Sequence, residues 1–410
     1  MADDAPPSPS PSPSPSMNNA HTRVGLSLHR STALRILYPV YNTAIGRFLT
    51  RMATGAKPHT SLPNDTDVIL ADVALGLTIH AVPVLSDNWS YLMVVETKTD
   101  GRLAVAVDVA DYRSTAQMCT KLDAKLALVL CTHHHWDHCA GHADVRRELP
   151  DVPIFAPAKD NVPETTHAIK QPGVFAIVGG KVAIGMLPVY GLHTKGHASF
   201  YVAPATSEEI DFDVAQAPNK NLVMMQPSLR DDEEDARLPS ARAVFTGDAL
   251  FRLGVGKFFE NTAEEATRAL AWAFGEQGQA TSAGGGVGQP PPTRRKALPD
   301  SCLTLTGHEY GPANAAFAAH VFSDEAWRAD EAVRGKQARE AKTAFGWSTL
   351  GEERRANPFL AAATSPEIAP LITAALKTFQ QAKLPDPPSG DPRVALVATL
   401  RVLRDAKVGL

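Results

Sequence analysis

Four histidines and one aspartate fall between residues 133 and 138, in the segment CTHHHWDHCAGH that spans residues 131–142. The segment follows KLALVL (residues 125–130), a short apolar run that predicts a buried strand. Side chains of an extended chain alternate between two faces, so His133 and His135 point to one side and His134 to the other. The fold must therefore end a buried strand at a site where several polar side chains meet.

This histidine cluster is typical of a metal site. His134 and His138 have the i, i+4 spacing of two ligands on a helix, but the preceding strand and the turn-forming WDH favour the i, i+2 pair of His133 and His135. Asp137 and His138 then approach the same space from the turn. Four ligands within six residues are too many for one tetrahedral ion that also needs distant ligands, so the sequence predicts two neighbouring metals.

Three later segments place further candidate ligands beside predicted strands. LHTKGHASFY contains His193 and His197, VFTGDALF contains Asp248, and LTLTGHEYG contains His308. A single histidine or aspartate after a strand is commonly a capping or hydrogen-bonded group, so none of these residues argues for a site alone. Together they supply the distant ligands that two metals require.

Composition and charge limit the function classes. The chain has 410 residues, of which 44% are hydrophobic and 20% charged, as is ordinary for a soluble protein of two or three domains. A net charge of -4 and an isoelectric point near 6.4, without a basic stripe, argue against a nucleic-acid partner. The four cysteines include no Cys-x-x-Cys pair, which favours a reducing compartment, and no apolar run is long enough to cross a bilayer.

The sequence divides into three parts. Residues 1–70 are predicted to be a disordered leader, because PPSPSPSPSPS is of low complexity and residues 17–64 carry six Arg or Lys but no Asp or Glu. That composition is typical of an organellar import signal, and a plain disordered tail is the alternative. Residues 75–310 predict an α/β domain and residues 311–410 a helical one, with surface insertions at 230–235 and 278–292.

Two predicted helices have complete start signals. In NTAEEATRALAWAFG, Thr262 is the predicted N-cap and Glu265 its partner in a capping box. In DPRVALVATLRVLRDAK, Asp391 can cap the helix and Pro392 occupies its first position. These signals fix where each helix begins.

The motifs resemble those of a known family. THHHWDH (residues 132–138) is similar to the signature of the metallo-β-lactamase superfamily. HTKGH, FTGDALFRLGVGKFFENT and GHEYGPANAAFAAH resemble, more narrowly, glyoxalase II, the hydroxyacylglutathione hydrolases, and VPVLSDNWSYL and ANPF match further parts of that family. The resemblance covers about residues 77–385. It implies an αββα sandwich that carries two metals, followed by a C-terminal α-helical domain.

The resemblance also implies a set of ligands and a reaction. The first metal takes His133, His135 and His193, the second takes Asp137, His138 and His308, and Asp248 bridges them. His134 occupies the variable position and is the predicted spectator, and His197 is expected to orient a ligand. Zinc is the first candidate metal, with iron and manganese open. A water activated between the metals, which Asp137 could orient, is expected to attack the thioester carbonyl.

The implied substrate is an S-2-hydroxyacylglutathione such as S-D-lactoylglutathione, cleaved to glutathione and a 2-hydroxy acid in the second step of methylglyoxal detoxification. Lys257 is expected to pair with a carboxylate of glutathione, and Phe259 and Tyr310 to line the thiol cleft. The family's basic pair is sought in AALKTFQQAKLPD, which offers Lys377 and Lys383 without the usual spacing. Another thiol carrier therefore stays open. The chain is expected to act as a monomer without a nucleic-acid or membrane partner.

Other activities on the same fold make different demands. A persulfide dioxygenase holds a single iron and lacks the GHEY element and the long helical tail. A β-lactamase would need an export signal, and a nuclease would show a basic surface. A non-catalytic binding protein would be expected to have lost ligands, whereas all seven are present.

The leader generates a test of location. Residues 1–64 fused to a fluorescent reporter should carry it to mitochondria, because five arginines precede Met52 and import machinery reads a basic amphipathic face. A fusion of residues 52–64 lacks those arginines and should remain in the cytosol. Imaging of both reporters decides the matter. If both are diffuse in the cytosol, the leader is only a tail.

Overall fold

The structure is a computed structural model. It describes residues 68–206, 221–224, 237–276, 296–322, 326–365 and 391–406. The predicted import signal, both predicted insertions and Lys377 lie outside these ranges.

Seven strands form the first sheet in the order of the sequence. They are β1 (Val68–Asp72), β2 (Leu77–Val84), β3 (Asn88–Glu96), β4 (Arg102–Val107), β5 (Ala124–Leu130), β6 (Ile154–Pro157) and β7 (His167–Ile169). Strands β1 to β4 pair antiparallel, and β4 to β7 pair parallel. The parallel connections contain α1 (Tyr112–Lys121), α2 (Trp136–Cys139) and α3 (His142–Glu148). Parallel pairing brings the carboxyl ends of β4 and β5 to one edge, where the histidine cluster begins.

The second sheet also has seven strands. They are β8 (Gly173–Val178), β9 (Val182–Pro188), β10 (Ala198–Pro204), β11 (Leu222–Met224), β12 (Ala243–Gly247), β15 (Leu303–Thr306) and β16 (Ser348–Thr349). Their spatial order is β11-β8-β9-β10-β12-β15-β16, and β12 and β15 run parallel. A small hairpin of β13 (Leu250–Phe251) and β14 (Gly254–Val255) follows β12. The parallel pair again brings two carboxyl ends together.

The remaining α-helices come after β14. They are α4 (Ala263–Phe274), α5 (Gly311–Val321), α6 (Ala326–Ala341), α7 (Leu350–Ala356), α8 (Pro358–Thr364) and α9 (Pro392–Asp405). Helix α4 comes before β15, α5 and α6 between β15 and β16, and the others after β16. The predicted start signals are confirmed, since Thr262 and Glu265 form a capping box on α4 and Asp391 caps α9. Among the described residues, no helix combines the length and the apolar character that a membrane crossing requires.

Apolar packing stacks these elements in four layers. The two sheets face each other across one core, in which Ile79 and Met93 of the first meet Phe200 and Phe245 of the second. Helices α1 and α3 cover the outer face of the first sheet. Helices α4, α5, α8 and α9 cover the outer face of the second and share a single apolar cluster with it. The predicted αββα sandwich with a C-terminal helical segment is confirmed.

The chain beyond residue 311 is attached to the second sheet as well as packed on it. Strand β16 pairs antiparallel with β15, Leu303 opposite Thr349. The Thr304 hydroxyl donates to the Ser348 carbonyl at 2.7 Å, and the Ser348 hydroxyl donates to buried Glu353 at 2.6 Å. The helical segment therefore supplies the edge strand beside the strand that leads to His308.

Candidate metal centre

The seven predicted ligands meet at one end of the sandwich. They come from four loops, each of which follows the carboxyl end of a strand: β5, β9, β12 and β15. Ligand atoms within 4.8 Å of one another form three overlapping groups: His133, His135 and His193; His133, His138 and Asp248; and Asp137, His138 and His308. Because β5 belongs to the first sheet and the other three strands to the second, the cluster spans both sheets.

The first group has the donor arrangement of a cation site. Nδ1 of His135 lies 3.0 Å from Nε2 of His133 and 3.0 Å from Nε2 of His193. One imidazole nitrogen carries either a proton or a lone pair, so these three atoms cannot all satisfy one another. Burial and the neighbouring imidazoles hold the pKa of His133 well below its usual range, and burial lowers the pKa of His135 to about 4. Neutral imidazoles are the form that binds metal.

The group of Asp137, His138 and His308, called the second group from here on, adds a carboxylate to the imidazoles, and Asp248 lies between it and the first group. Asp248 Oδ2 lies 3.4 Å from Nε2 of His308 and 3.5 Å from Nε2 of His193, so one carboxylate reaches both groups. Asp248 Oδ1 is 3.3 Å from Nε2 of His138, yet neither atom has a hydrogen-bond partner within the described part of the chain. Burial opposes charge on His138, but Asp248 and Asp108 raise its pKa to about 10. The same carboxylate charge favours divalent cations, so the residues fit two metals.

The outward ring nitrogens are held by hydrogen bonds. Nδ1 of His138 is 2.9 Å from Asp108, Nδ1 of His308 is 2.9 Å from Asp87, and Nδ1 of His193 is 2.8 Å from the carbonyl of Lys257. Each acceptor receives a hydrogen bond from the Nδ1 N–H, which directs Nε2 into the cluster, where it can bind a metal in place of its own proton. Asp87 and Asp108 were not among the predicted site residues, although Asp87 directly precedes β3 and Asp108 directly follows β4 at the same edge of the sheet.

Two glycines allow the loops to approach the cluster. A Cβ at Gly307 would lie 2.4 Å from Asp248 Oδ1 and 2.7 Å from His138 Cε1. A Cβ at Gly256 would lie 2.0 Å from the Asp248 carbonyl oxygen and 2.7 Å from Nδ1 of His193. Any larger residue at these positions would displace a ligand.

His134 and His197 belong to none of the three groups of ligands. His134 points away from the cluster, with Nδ1 3.0 Å from Asp160 Oδ2. Burial opposes its charge, but the hydrogen bond and charge of Asp160 raise the pKa of His134. The His197 ring stacks on that of His133 at a centroid distance of 4.6 Å and bonds the Thr246 carbonyl at 3.0 Å. His134 thus faces Asp160 while His133 and His135 face the ligand cluster, although residues 132–134 form a bend and not a strand.

The predicted substrate residues flank the two groups. The Phe259 ring lies edge-on to the rings of His135 and His193 at 5.6 and 5.3 Å, and Tyr310 stacks on His308 at 4.7 Å. The Lys257 side chain is 47% exposed, and its Nζ lies 3.7 Å from Asp405 at the end of α9. Phe259 and Tyr310 thus contact ligand rings, whereas Lys257 touches a ligand only through its main-chain carbonyl, which accepts from His193.

The end of α9 places a basic residue, Arg404, near Tyr310, and this residue was not among the predicted site residues. Arg404 donates to Asn314 Oδ1 at 3.1 Å. Burial raises the pKa of Tyr310 well above its usual range, and the nearby Arg404 charge opposes that rise. The signal was present in TLRVLRDAK, where Arg401 and Arg404 recur at helical spacing, but the basic pair was sought nearer Lys377.

The chain is similar to several known proteins. A family model described as hydroxyacylglutathione hydrolase C-terminus matches residues 309–407. The chain is 30% identical to the cytoplasmic hydroxyacylglutathione hydrolase of Arabidopsis thaliana over 69% of this chain and 88% of that protein. It is 28% identical to the hydroxyacylglutathione hydrolase of Prochlorococcus marinus over 72% of this chain and 91% of that protein. A metallo-β-lactamase structure from Staphylococcus aureus is similar with a TM-score of 0.41 and 17% identity, covering 83% of this chain and 72% of that one.

The position of Asp248 generates a prediction about metal content. Asp248→Ala should reduce bound divalent metal from about two ions per chain to fewer than one, because the lost carboxylate reaches both groups. His308→Ala removes a ligand of one group and should cost about one ion. Metal-to-protein ratios of the purified variants measure this, with the exposed Asp151→Ala as control. An unchanged ratio in Asp248→Ala would remove that residue from the bridging position.

Proposed function

The chain belongs to the hydroxyacylglutathione hydrolase family, and we propose that it hydrolyses S-2-hydroxyacylglutathione thioesters to glutathione and a 2-hydroxy acid. S-D-lactoylglutathione is the expected substrate, which makes the reaction the second step of methylglyoxal detoxification. The observation that carries the proposal is the convergence of seven imidazole and carboxylate side chains at one end of the sandwich.

The proposed ligand sets follow the observed groups. His133, His135 and His193 would hold one cation, Asp137, His138 and His308 would hold the other, and Asp248 would contribute to both. Two divalent cations bound there would lower the pKa of a water molecule and polarise a thioester carbonyl. Imidazole with carboxylate suits zinc first, and also iron or manganese.

The chain's own residues prepare the nucleophile's surroundings. Asn88 donates from Nδ2 to Asp137 Oδ2 at 3.2 Å, which fixes the carboxylate that is proposed to orient the attacking water. No side-chain nucleophile is required. The buried Cys131 thiol donates to the His133 carbonyl at 3.1 Å, and burial raises its pKa well above the usual range, so its reactive thiolate is suppressed.

The substrate is proposed to lie across the rings that flank the metals. Phe259 contacts rings of the first group and Tyr310 a ring of the second, so the thioester would sit between them. Lys257 and Arg404 supply positive charge near the end of α9 for the carboxylates of glutathione. Lys377 remains a proposed contact outside the described residues. The enzyme is proposed to act as a monomer in the mitochondrial matrix, the cytoplasm or both.

A direct assay tests the function. The metal-loaded protein should hydrolyse S-D-lactoylglutathione. The reaction is monitored by the loss of thioester absorbance and by the release of free thiol. His308→Ala should abolish most of this turnover, because it removes a proposed ligand beside Tyr310. S-lactoyl coenzyme A, assayed in parallel, tests a different thiol carrier. Oxygen consumption with glutathione persulfide and no thioester cleavage would instead identify a persulfide dioxygenase.

Lys257 generates a prediction about substrate capture. Lys257→Ala should raise KM about tenfold, since a charged hydrogen bond contributes about 1.5–3 kcal/mol and part of that is lost to solvent at an exposed site. The rate constant kcat should change little, because the charge lies remote from the reacting carbonyl. The variant keeps the main-chain carbonyl that accepts from His193. Steady-state kinetics separate the two constants, and a fall in kcat alone would place Lys257 at the reaction centre.

A further inference from the structure

Asp160 is a buried carboxylate that holds two ligand loops at once. Asp160 follows β6 and is only 4% exposed. Its Oδ2 accepts from the main-chain N–H of His134 at 2.6 Å and lies 3.0 Å from Nδ1 of that ring. Its Oδ1 accepts from the Thr194 hydroxyl at 2.7 Å and the Gly196 N–H at 2.9 Å. One side chain thus connects the loop after β5 with the loop after β9.

Glu260 connects the same two loops from another element. Its Oε1 lies 3.6 Å from Nε2 of His134, and its Oε2 accepts from the main-chain N–H of Lys195 at 2.9 Å. Glu260 lies on the segment after β14, three residues beyond Lys257, whose carbonyl accepts from His193. The His134 ring therefore has a carboxylate near each of its nitrogens, and each carboxylate also bonds main chain directly after His193.

The segments in contact have no space between them. A Cβ at Gly196 would lie 2.3 Å from the carbonyl carbon of Lys159 and 2.4 Å from the nitrogen of Asp160. The main chain after His193 is therefore pressed against the main chain at Asp160. Hydrogen bonds across such a contact allow little movement of the ligand loop.

A buried histidine and aspartate often pair simply to satisfy their polar groups. Here the partners are more specific, because they join the loop that bears His133 and His135 to the loop that bears His193. We infer that His134, Asp160 and Glu260, together the loop clamp, are positioning residues that hold His193 against the other two ligands of the first group. The inference rests on the metal centre proposed above. It gives His134 a role although it binds no metal.

The second group has different supports. Asp87 holds His308 and Asp108 holds His138, and within the described ranges neither carboxylate bonds the loop after β9. Asp108 also accepts from the main-chain N–H of Thr132, on the loop after β5. Loss of the loop clamp should therefore weaken one metal and spare the other. A general loss of stability would weaken both together.

Metal release from the holoenzyme tests this selectivity. In Asp160→Ala, a competing chelator should remove one of the two metals at about tenfold lower concentration, and the second as in the unmodified protein. In Asp160→Asn, the chelator concentration that removes the first metal should lie between those of Asp160→Ala and the unmodified protein. The amide oxygen can still accept from Thr194 and Gly196, but the NH₂ group opposes the N–H of His134. Glu353→Gln is the matched control, since Glu353 is an equally buried carboxylate that bonds Ser348, Asn357 and the Leu253 N–H instead.

Hydrogen exchange gives a second readout that needs no substrate. Amides of residues 194–196 should exchange faster in Asp160→Ala than in the unmodified protein, and Glu353→Gln should leave them protected. Unchanged protection, or release of both metals in parallel in Asp160→Ala, would overturn the loop clamp. If the unmodified, metal-loaded protein fails to cleave the thioester while Asp160→Ala still shows the selective release, the proposed reaction is wrong and the loop clamp stands.

Discussion

The architecture depends on holding several imidazole nitrogens close together although their hydrogen-bonding needs conflict. His133, His135 and His193 bring three nitrogens within 3.0 Å contacts that no arrangement of their protons fully satisfies. Such a cluster persists only if each ring is held from behind. The Lys257 carbonyl supports the outward nitrogen of His193, and the Thr132 hydroxyl supports that of His133. Asp108 and Asp87 do the same for His138 and His308, so the surrounding loops fix the orientation of the imidazoles.

The sandwich explains how distant residues reach this point. Parallel pairing of β4 with β5 and of β12 with β15 collects strand ends at one edge of each sheet. The apolar core between the sheets then brings these edges together. Because the first group takes two ligands from one sheet and a third from the other, a bound cation would also link the sheets. Metal binding would in this way be coupled to the packing of the two sheets.

The parts of this arrangement that depend on local sequence could be predicted. Short-range signals predicted the capping box of Thr262 and Glu265. The i, i+2 pattern predicted that His134 would point away from His133 and His135, although residues 132–134 form a bend and not the expected extended chain. The supports of the site could not be predicted, because their partners are remote in sequence. Asp160 is 26 residues from His134, and a carboxylate between strands carries no periodic signal. The approach of α9 to Tyr310 likewise depends on helix packing that no local pattern encodes.

The pairing of β16 with β15 has a consequence for the independence of the helical segment. Strand β16 has only two residues, so as an edge strand of the second sheet it offers few main-chain groups to which another strand could pair. A chain cut after residue 311 would lose this border and present the unpaired N–H and C=O groups of β15 to solvent. Another copy could then add its own strand there. By covering β15, the C-terminal segment would therefore also prevent edge-to-edge pairing between copies at the strand that leads to His308.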